Sequence, residues 1–303
     1  MTLGYDKPLY VLPFDHRHSY GSEVFGFHEP MSAEQIAVVA DSKWVIYEGY
    51  KLAVTQGAPK DKSGILVDEE FGTAVLRDAR ASGYITCMPV EKSGQHEFDF
   101  QYGDDFGQHI EEFDPTFTKV LVRYNPDSNR EENDRQLGRL KRLSDWLHDR
   151  NRLYMFEMLV PAEKAQLAVA GDQQTYDTKL RPQLMVRAIA EIQDFGVEPD
   201  VWKIEGLDRR EDCVKIAEVA RRDGRDRVGC IVLGRGESEQ KVIEWLQIAA
   251  NVPGFIGFAV GRSTFLQTIV DLRAGSIDKD AAAKQIVARF LKWIEVFETA
   301  RDR

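Results

Sequence analysis

The chain lacks the marks of several whole classes of protein. It has three cysteines in 303 residues, Cys87, Cys213 and Cys230, with no CxxC spacing. A disulfide framework or a cysteine-rich zinc module is therefore not expected, and the three read as small buried hydrophobes of a reduced, cytoplasmic setting. No apolar stretch is long enough to span a bilayer, and Met1-Thr-Leu-Gly-Tyr-Asp-Lys7 has no signal-peptide pattern, so no membrane is expected as a partner. Positive charge is in deficit: 40 Lys and Arg stand against 50 Asp and Glu, a net charge of −10, without any basic tract. A nucleic-acid partner is excluded on those electrostatic grounds. Low-complexity segments and short repeats are also missing.

What the chain does have is alternation. Strand-like runs fall at Leu9–Phe14, Gly64–Val67, Tyr84–Met88, Lys119–Tyr124, Leu153–Leu159, Val201–Ile204, Val228–Leu233 and Phe255–Val260. Most are β-branched or aromatic and run into Gly, Pro, Asp or Asn. Amphipathic stretches at Ala33–Thr55, Asn129–Arg150, Arg209–Arg222, Ser238–Ala250, Ser263–Arg273 and Asp280–Ala300 predict helices between and after them. Eight strand–helix units predict an α/β fold of the closed (β/α)8 TIM-barrel type, which takes about 250 residues, in a single domain over residues 1–303. An open doubly wound sheet is the alternative, but Asp15-His16-Arg17-His18 follows the first strand where that fold carries a Gly-rich fingerprint. Long inserts are expected near 89–116, as a lid, and near 161–182.

In such a barrel the chemistry sits at the C-terminal ends of the strands. Lys203 lies in the apolar run Asp200-Val-Trp-Lys-Ile-Glu-Gly-Leu-Asp208. Burying an ammonium is costly, and burial favours the neutral amine that attacks a carbonyl. A lysine that snorkels to water or pairs with Glu205 is the plainer alternative. Strand parity puts Lys203 and Glu205 on one face, and likewise Lys119 and Arg123. Two lysines in one barrel suit imine chemistry, the second cation lowering the pKa of the first. Glu157 is then the candidate proton carrier and Asp15 a candidate base for a substrate hydroxyl. The ends of strands seven and eight, Gly234-Arg235-Gly236 and Gly261-Arg262-Ser263, predict a phosphate site from glycine N–H groups and charge-assisted contacts. Arg17, Asp68, Lys92, Arg123 and Glu205 complete the candidate substrate-binding set. No cofactor and no metal is called for. A divalent ion on the Asp68-Glu69-Glu70 triplet with Glu157 and Glu205 is a competing reading that Lys119 and Lys203 oppose, and one on His16, His18 and Asp68 has no HExxH or His/Cys cluster behind it. A non-catalytic sugar-phosphate sensor is a third.

Asp15-His16-Arg17, Lys119-Val-Leu-Val, Phe156-Glu157-Met-Leu and Trp202-Lys203-Ile-Glu205 fall in the order found in class I aldolases related to tagatose-1,6-bisphosphate aldolase. Pro89-Val-Glu-Lys-Ser-Gly94 and the segment from Asp114 to Pro126 resemble in particular the aldolase domain fused behind the kinase of bacterial inositol catabolism, the 5-dehydro-2-deoxygluconokinase fusions. The resemblance covers nearly the whole chain. It implies an eight-stranded barrel, an imine on Lys203, Glu157 as proton shuttle and Lys119 beside the imine. It implies a phosphorylated ketose-like substrate that yields dihydroxyacetone phosphate; for the inositol pathway this is 2-deoxy-5-keto-gluconate 6-phosphate, with malonic semialdehyde as the other product. Arg235 replaces a small residue of the tagatose-type enzymes and Arg123 an aromatic one. Both add positive charge, which fits a substrate with a carboxylate as well as a phosphate, or another acidic sugar phosphate such as a sulfonated one. Barrels of this kind are often dimers or larger, so a homo-oligomer is an open expectation.

Overall fold

Eight short runs, rich in β-branched and aromatic side chains and too short for stable helices, pair as parallel strands. They are β1 (Leu9–Pro13), β2 (Ser63–Leu66), β3 (Ile85–Pro89), β4 (Phe117–Arg123), β5 (Leu153–Leu159), β6 (Val201–Glu205), β7 (Gly229–Leu233) and β8 (Phe255–Ala259). Each pairs with the next, and β8 pairs back to β1 through Leu9↔Gly257 and Val11↔Ala259. The sheet is thus a closed TIM barrel, and the open doubly wound alternative is ruled out. The structure, a computed structural model, describes residues 2–301. Closure is tight at Gly257, where a Cβ would stand 1.8 Å from the Leu9 carbonyl oxygen, so any side chain there would push β1 and β8 apart.

The helices begin where capping chemistry starts them. Ser32 forms a capping box with Gln35 ahead of Ala33–Thr55, Asn129 caps Arg130–Asp149 and Ser238 caps Glu239–Ala250. Asn129 and Ser238, expected as the first helical residues, are caps instead. Strand β4 starts two residues earlier than expected, with Phe117 and Thr118 paired to Leu153 and Tyr154, and Tyr124 lies past its end. The β3 insert is a hairpin bridged at Glu91↔Phe100, followed by the helix Phe106–Phe113. Phe100 stacks on Phe106 at 4.3 Å, so the hairpin base has an aromatic core of its own. The second insert carries the helix Lys164–Ala170 and a π-helical turn, Tyr176–Leu180, and the long helix Arg181–Asp194 already begins inside its expected range.

The barrel interior changes character along its axis. At the N-terminal side, Leu9, Leu66, Phe117, Met155, Val201 and Ile231 form one buried apolar cluster. Full burial of each such side chain stabilises by about 1.5–3 kcal/mol. Above that plug the inward positions turn ionic, and the strand ends open into a cavity. No helix among the described residues is long and apolar enough to cross a membrane. All three cysteines are free and buried.

Candidate active site

Strand register decides how the polar side chains stack above the plug. Leu121 pairs with Glu157 and Glu157 with Lys203, so the last two leave adjacent strands at one level. Lys119 pairs with Met155, two residues lower, and its side chain rises from beneath. The Lys119 ammonium donates to Asp15 Oδ2 at 2.9 Å and to Glu91 Oε1 at 2.8 Å, and lies 2.8 Å from Glu157 Oε2. The same Glu157 oxygen is 2.8 Å from Lys203 Nζ. One carboxylate oxygen therefore bridges two lysines, each no more than 2% exposed. Arg17 braces the arrangement, donating to the Glu91 carbonyl oxygen at 2.7 Å and lying 3.6 Å from the Glu91 carboxylate.

Electrostatics follow from that packing. Burial alone would drive the proton off Lys119, but Asp15, Glu157 and Glu91 outweigh it and hold the ammonium well above the ordinary lysine range. Burial likewise pushes the Asp15 and Glu157 carboxyls up, and Lys119 with Lys203 overcomes it, so both stay below the ordinary carboxylate range. Glu91 behaves oppositely: burial raises its carboxyl, and Lys119 and Arg17 offset this only in part. Burial also pushes the His16 imidazole down to about 4, against the pull of Asp15, so the ring is neutral at neutral pH.

These groups line a cavity of ≈ 370 Å³ at the barrel mouth. Of the residues picked from the sequence, Asp15, Arg17, Lys119, Glu157 and Lys203 form its floor and wall, and Lys92, Arg123, Arg235, Gly261 and Arg262 also line it. Three do not. Asp68 is fully buried; one oxygen accepts from the Phe71 N–H at 2.8 Å to cap the helix Glu69–Ala81, and the other pairs with the buried Lys43. Glu205 shares the inward face with Lys203, but its carboxylate lies 3.1 Å from Arg235 Nε and 3.5 Å from Arg181 Nη1. Gly234 turns the chain without lining the cavity, whereas Leu233, Arg235 and Gly236 line it.

Arg235 does not stand free as the sequence led one to expect. It adopts φ 57°, and its guanidinium is held by Asp177, at 2.9 Å, as well as by Glu205. Its charge is spent on a clamp between the second insert and the ends of β6 and β7, so it is not a free phosphate anchor. Arg262 has no carboxylate partner among the described residues; it donates to the Arg235 carbonyl oxygen at 2.8 Å. Gly236, at φ 77°, leaves room for it, since a Cβ there would lie 2.6 Å from Arg262 Nη2. Arg262 also opens the helix Arg262–Arg273.

The metal sets considered from the sequence do not assemble. Asp68 and Glu157 are each held by lysines. Among the described residues, the one compact grouping of ligand-type side chains is His18, Glu29 and Glu70. Glu91, which the sequence places at the end of strand three without a specific role, and Gln95, which the sequence does not mark, both line the cavity. They lie in the β3 insert, where no strand parity marks a face. Glu91 lies in the run Pro89-Val-Glu-Lys-Ser-Gly94 beside the end of β3, and Gln95 follows that run with no signal of its own.

Over residues 4–301 the chain matches a family described as an uncharacterized protein conserved in bacteria, DUF2090. The chain belongs to that family. No curated protein matches. Solved structures with the same fold include Cgl0159 from Corynebacterium glutamicum, with 17% identity, 99% of this chain and 88% of that chain covered, and a TM-score of 0.57. A fructose-bisphosphate aldolase from Slackia heliotrinireducens has 12% identity over 98% of this chain and 87% of its own, at a TM-score of 0.57. A Schiff base forming fructose-1,6-bisphosphate aldolase has 11% identity over 93% and 92%, at 0.56. At such identities the likeness speaks to the fold, and the DUF2090 chain thus shares the barrel of Schiff-base aldolases.

Proposed function

We propose that this DUF2090 protein is a metal-independent class I aldolase. Its substrate is a phosphorylated keto-sugar acid, 2-deoxy-5-keto-gluconate 6-phosphate, cleaved to dihydroxyacetone phosphate and malonic semialdehyde. The observation that carries the reading is Glu157 Oε2 set 2.8 Å from both Lys203 and Lys119 on the floor of a cavity in which cationic side chains outnumber carboxylates.

In this mechanism Glu157 takes a proton from the Lys203 ammonium, and the neutral amine adds to the substrate ketone to give a carbinolamine. Glu157 returns the proton to the carbinolamine hydroxyl, which leaves as water, and an iminium remains. Asp15, ionised as a proton acceptor must be, removes the proton from the hydroxyl two carbons from the iminium carbon. That oxygen becomes an aldehyde, the intervening carbon–carbon bond breaks, and its electron pair enters the iminium as an enamine. Asp15 then gives its proton to the enamine carbon, and water hydrolyses the resulting iminium, releasing dihydroxyacetone phosphate and the free lysine. Lys119 stays cationic throughout and keeps Glu157 and Asp15 ionised between proton transfers. Arg262 with Gly261 and Gly236 receives the phosphate.

The test is borohydride reduction in the presence of dihydroxyacetone phosphate, followed by peptide mass spectrometry. A reduced adduct on Lys203, lost in Lys203→Met, is the expected result. No adduct on any lysine at saturating ligand refutes the imine.

A further inference from the structure

The cavity holds a second cationic pole that the phosphate leaves unused. In the closed order β1 to β8, β4 stands opposite β8, and β6 lies midway between them. Arg262 follows β8, Lys203 projects from β6, and Arg123 ends β4. Arg123 has no carboxylate partner among the described residues; its Nη1 donates to the Gln95 carbonyl oxygen at 2.8 Å, which tethers the guanidinium to the β3 insert. Gln95 supplies a second oriented donor. Its Oε1 accepts from the Asp99 N–H at 2.8 Å, which decides the amide orientation, and its Nε2 is buried with no hydrogen-bond partner. Most buried side-chain donors in folded proteins have a partner, so an unpartnered one at a cavity wall is a place for a ligand oxygen. Arg123 and Gln95 line the same cavity as Lys203 and Arg262.

We infer that Arg123 and Gln95 form a carboxylate subsite that determines substrate specificity. A planar two-oxygen anion matches a guanidinium edge beside an amide N–H. The substrate then stretches across the mouth, with its phosphate at Arg262, its ketone at Lys203 and its carboxylate at Arg123 and Gln95. The scissile bond lies on the β4 side of the imine, toward Glu157 on β5 and Lys119 on β4, so the departing aldehyde carries the carboxylate. The inference rests on the proposed aldolase reading for its reaction, but its binding geometry is measured without turnover.

Calorimetry with 6-phosphogluconate and glucitol 6-phosphate isolates the carboxylate, because the two differ at that end alone. The wild-type protein is expected to bind 6-phosphogluconate at least tenfold more tightly than glucitol 6-phosphate. In Arg123→Met that ratio falls to threefold or less, and in Gln95→Leu it falls in the same direction. Arg262→Met weakens both ligands alike. A wild-type ratio near one, a ratio that survives Arg123→Met in folded protein, or no binding of either ligand would overturn the subsite. Failure of borohydride trapping with dihydroxyacetone phosphate would instead overturn the aldolase reading and leave this ratio standing.

Discussion

Replacing Lys119 with methionine tests the electrostatic heart of the site. The ammonium, 1% exposed, faces three carboxylates at 2.8–2.9 Å. Without it, Lys203 can still balance Glu157, and Arg17 can still balance Glu91, but Asp15 is left with no ion-pair partner in the site. Breaking a buried pair in this way costs about 3–5 kcal/mol, because the remaining charge stays desolvated. The cost should depend on pH, and its sign is set by the shifts. In the wild type, Asp15 and Glu157 titrate below their unfolded values. They contribute stability that is present above the unfolded pKa and is lost as the pH falls through the folded one. In Lys119→Met the stranded carboxyl titrates above its unfolded value of about 4, so its ionisation destabilises increasingly as the pH rises. Each pH unit in that range is worth about 1.4 kcal/mol for one proton. Urea unfolding followed by tryptophan fluorescence at about pH 7.5 and about pH 5.5 measures the difference. The variant's deficit should shrink by about 2–3 kcal/mol at the lower pH. A deficit below about 1 kcal/mol at neutral pH, or one equal at both pH values, refutes the account.

Other perturbations follow from the same geometry. Lys43→Met strands the fully buried Asp68 and should cost about 3–5 kcal/mol in urea unfolding, yet leave trapping on Lys203 intact at saturating dihydroxyacetone phosphate. Adding Asp68→Asn should restore much of that loss, since asparagine keeps the cap on the Phe71 N–H without the charge; no recovery would count against an ion-pair origin. Asp177→Asn removes one of the two carboxylates on Arg235 and raises the positive potential at the mouth. The dihydroxyacetone phosphate concentration that half-saturates trapping should fall by about two- to fivefold, and a rise would show that the clamp, not the charge, governs binding.

The parts of the fold and the site that were legible in the sequence share one property: they are periodic. Every barrel strand is a short apolar run, and inside a strand parity tells which side chains converge. That is why parity points Lys119 and Lys203 to the barrel interior, and register then sets Glu157, chosen for its chemistry, beside Lys203. Outside the strands the same inference weakens. Asp68, two residues past β2, shares the parity of Leu66, but the demand for an N-cap turns its carboxylate to the following helix and to Lys43. Arg235 and Arg262 stand in similar Gly-Arg turns, and nothing in either turn reveals that Asp177, 58 residues earlier, neutralises one and not the other. Glu91 and Gln95 enter the cavity because a hairpin pairs residues 91 and 100 and packs its phenylalanines into an aromatic cluster. Their positions depend on long-range packing, and packing has no period. The asymmetry bears on the proposed function: Lys203 and Glu157, which would carry the imine chemistry, sit on paired strands, while Gln95, half of the proposed carboxylate subsite, sits in a hairpin that no pattern marks. Under that reading, substrate choice is to be sought where the β3 insert meets the end of β4, at Gln95 and Arg123, rather than among the lysines of the barrel floor.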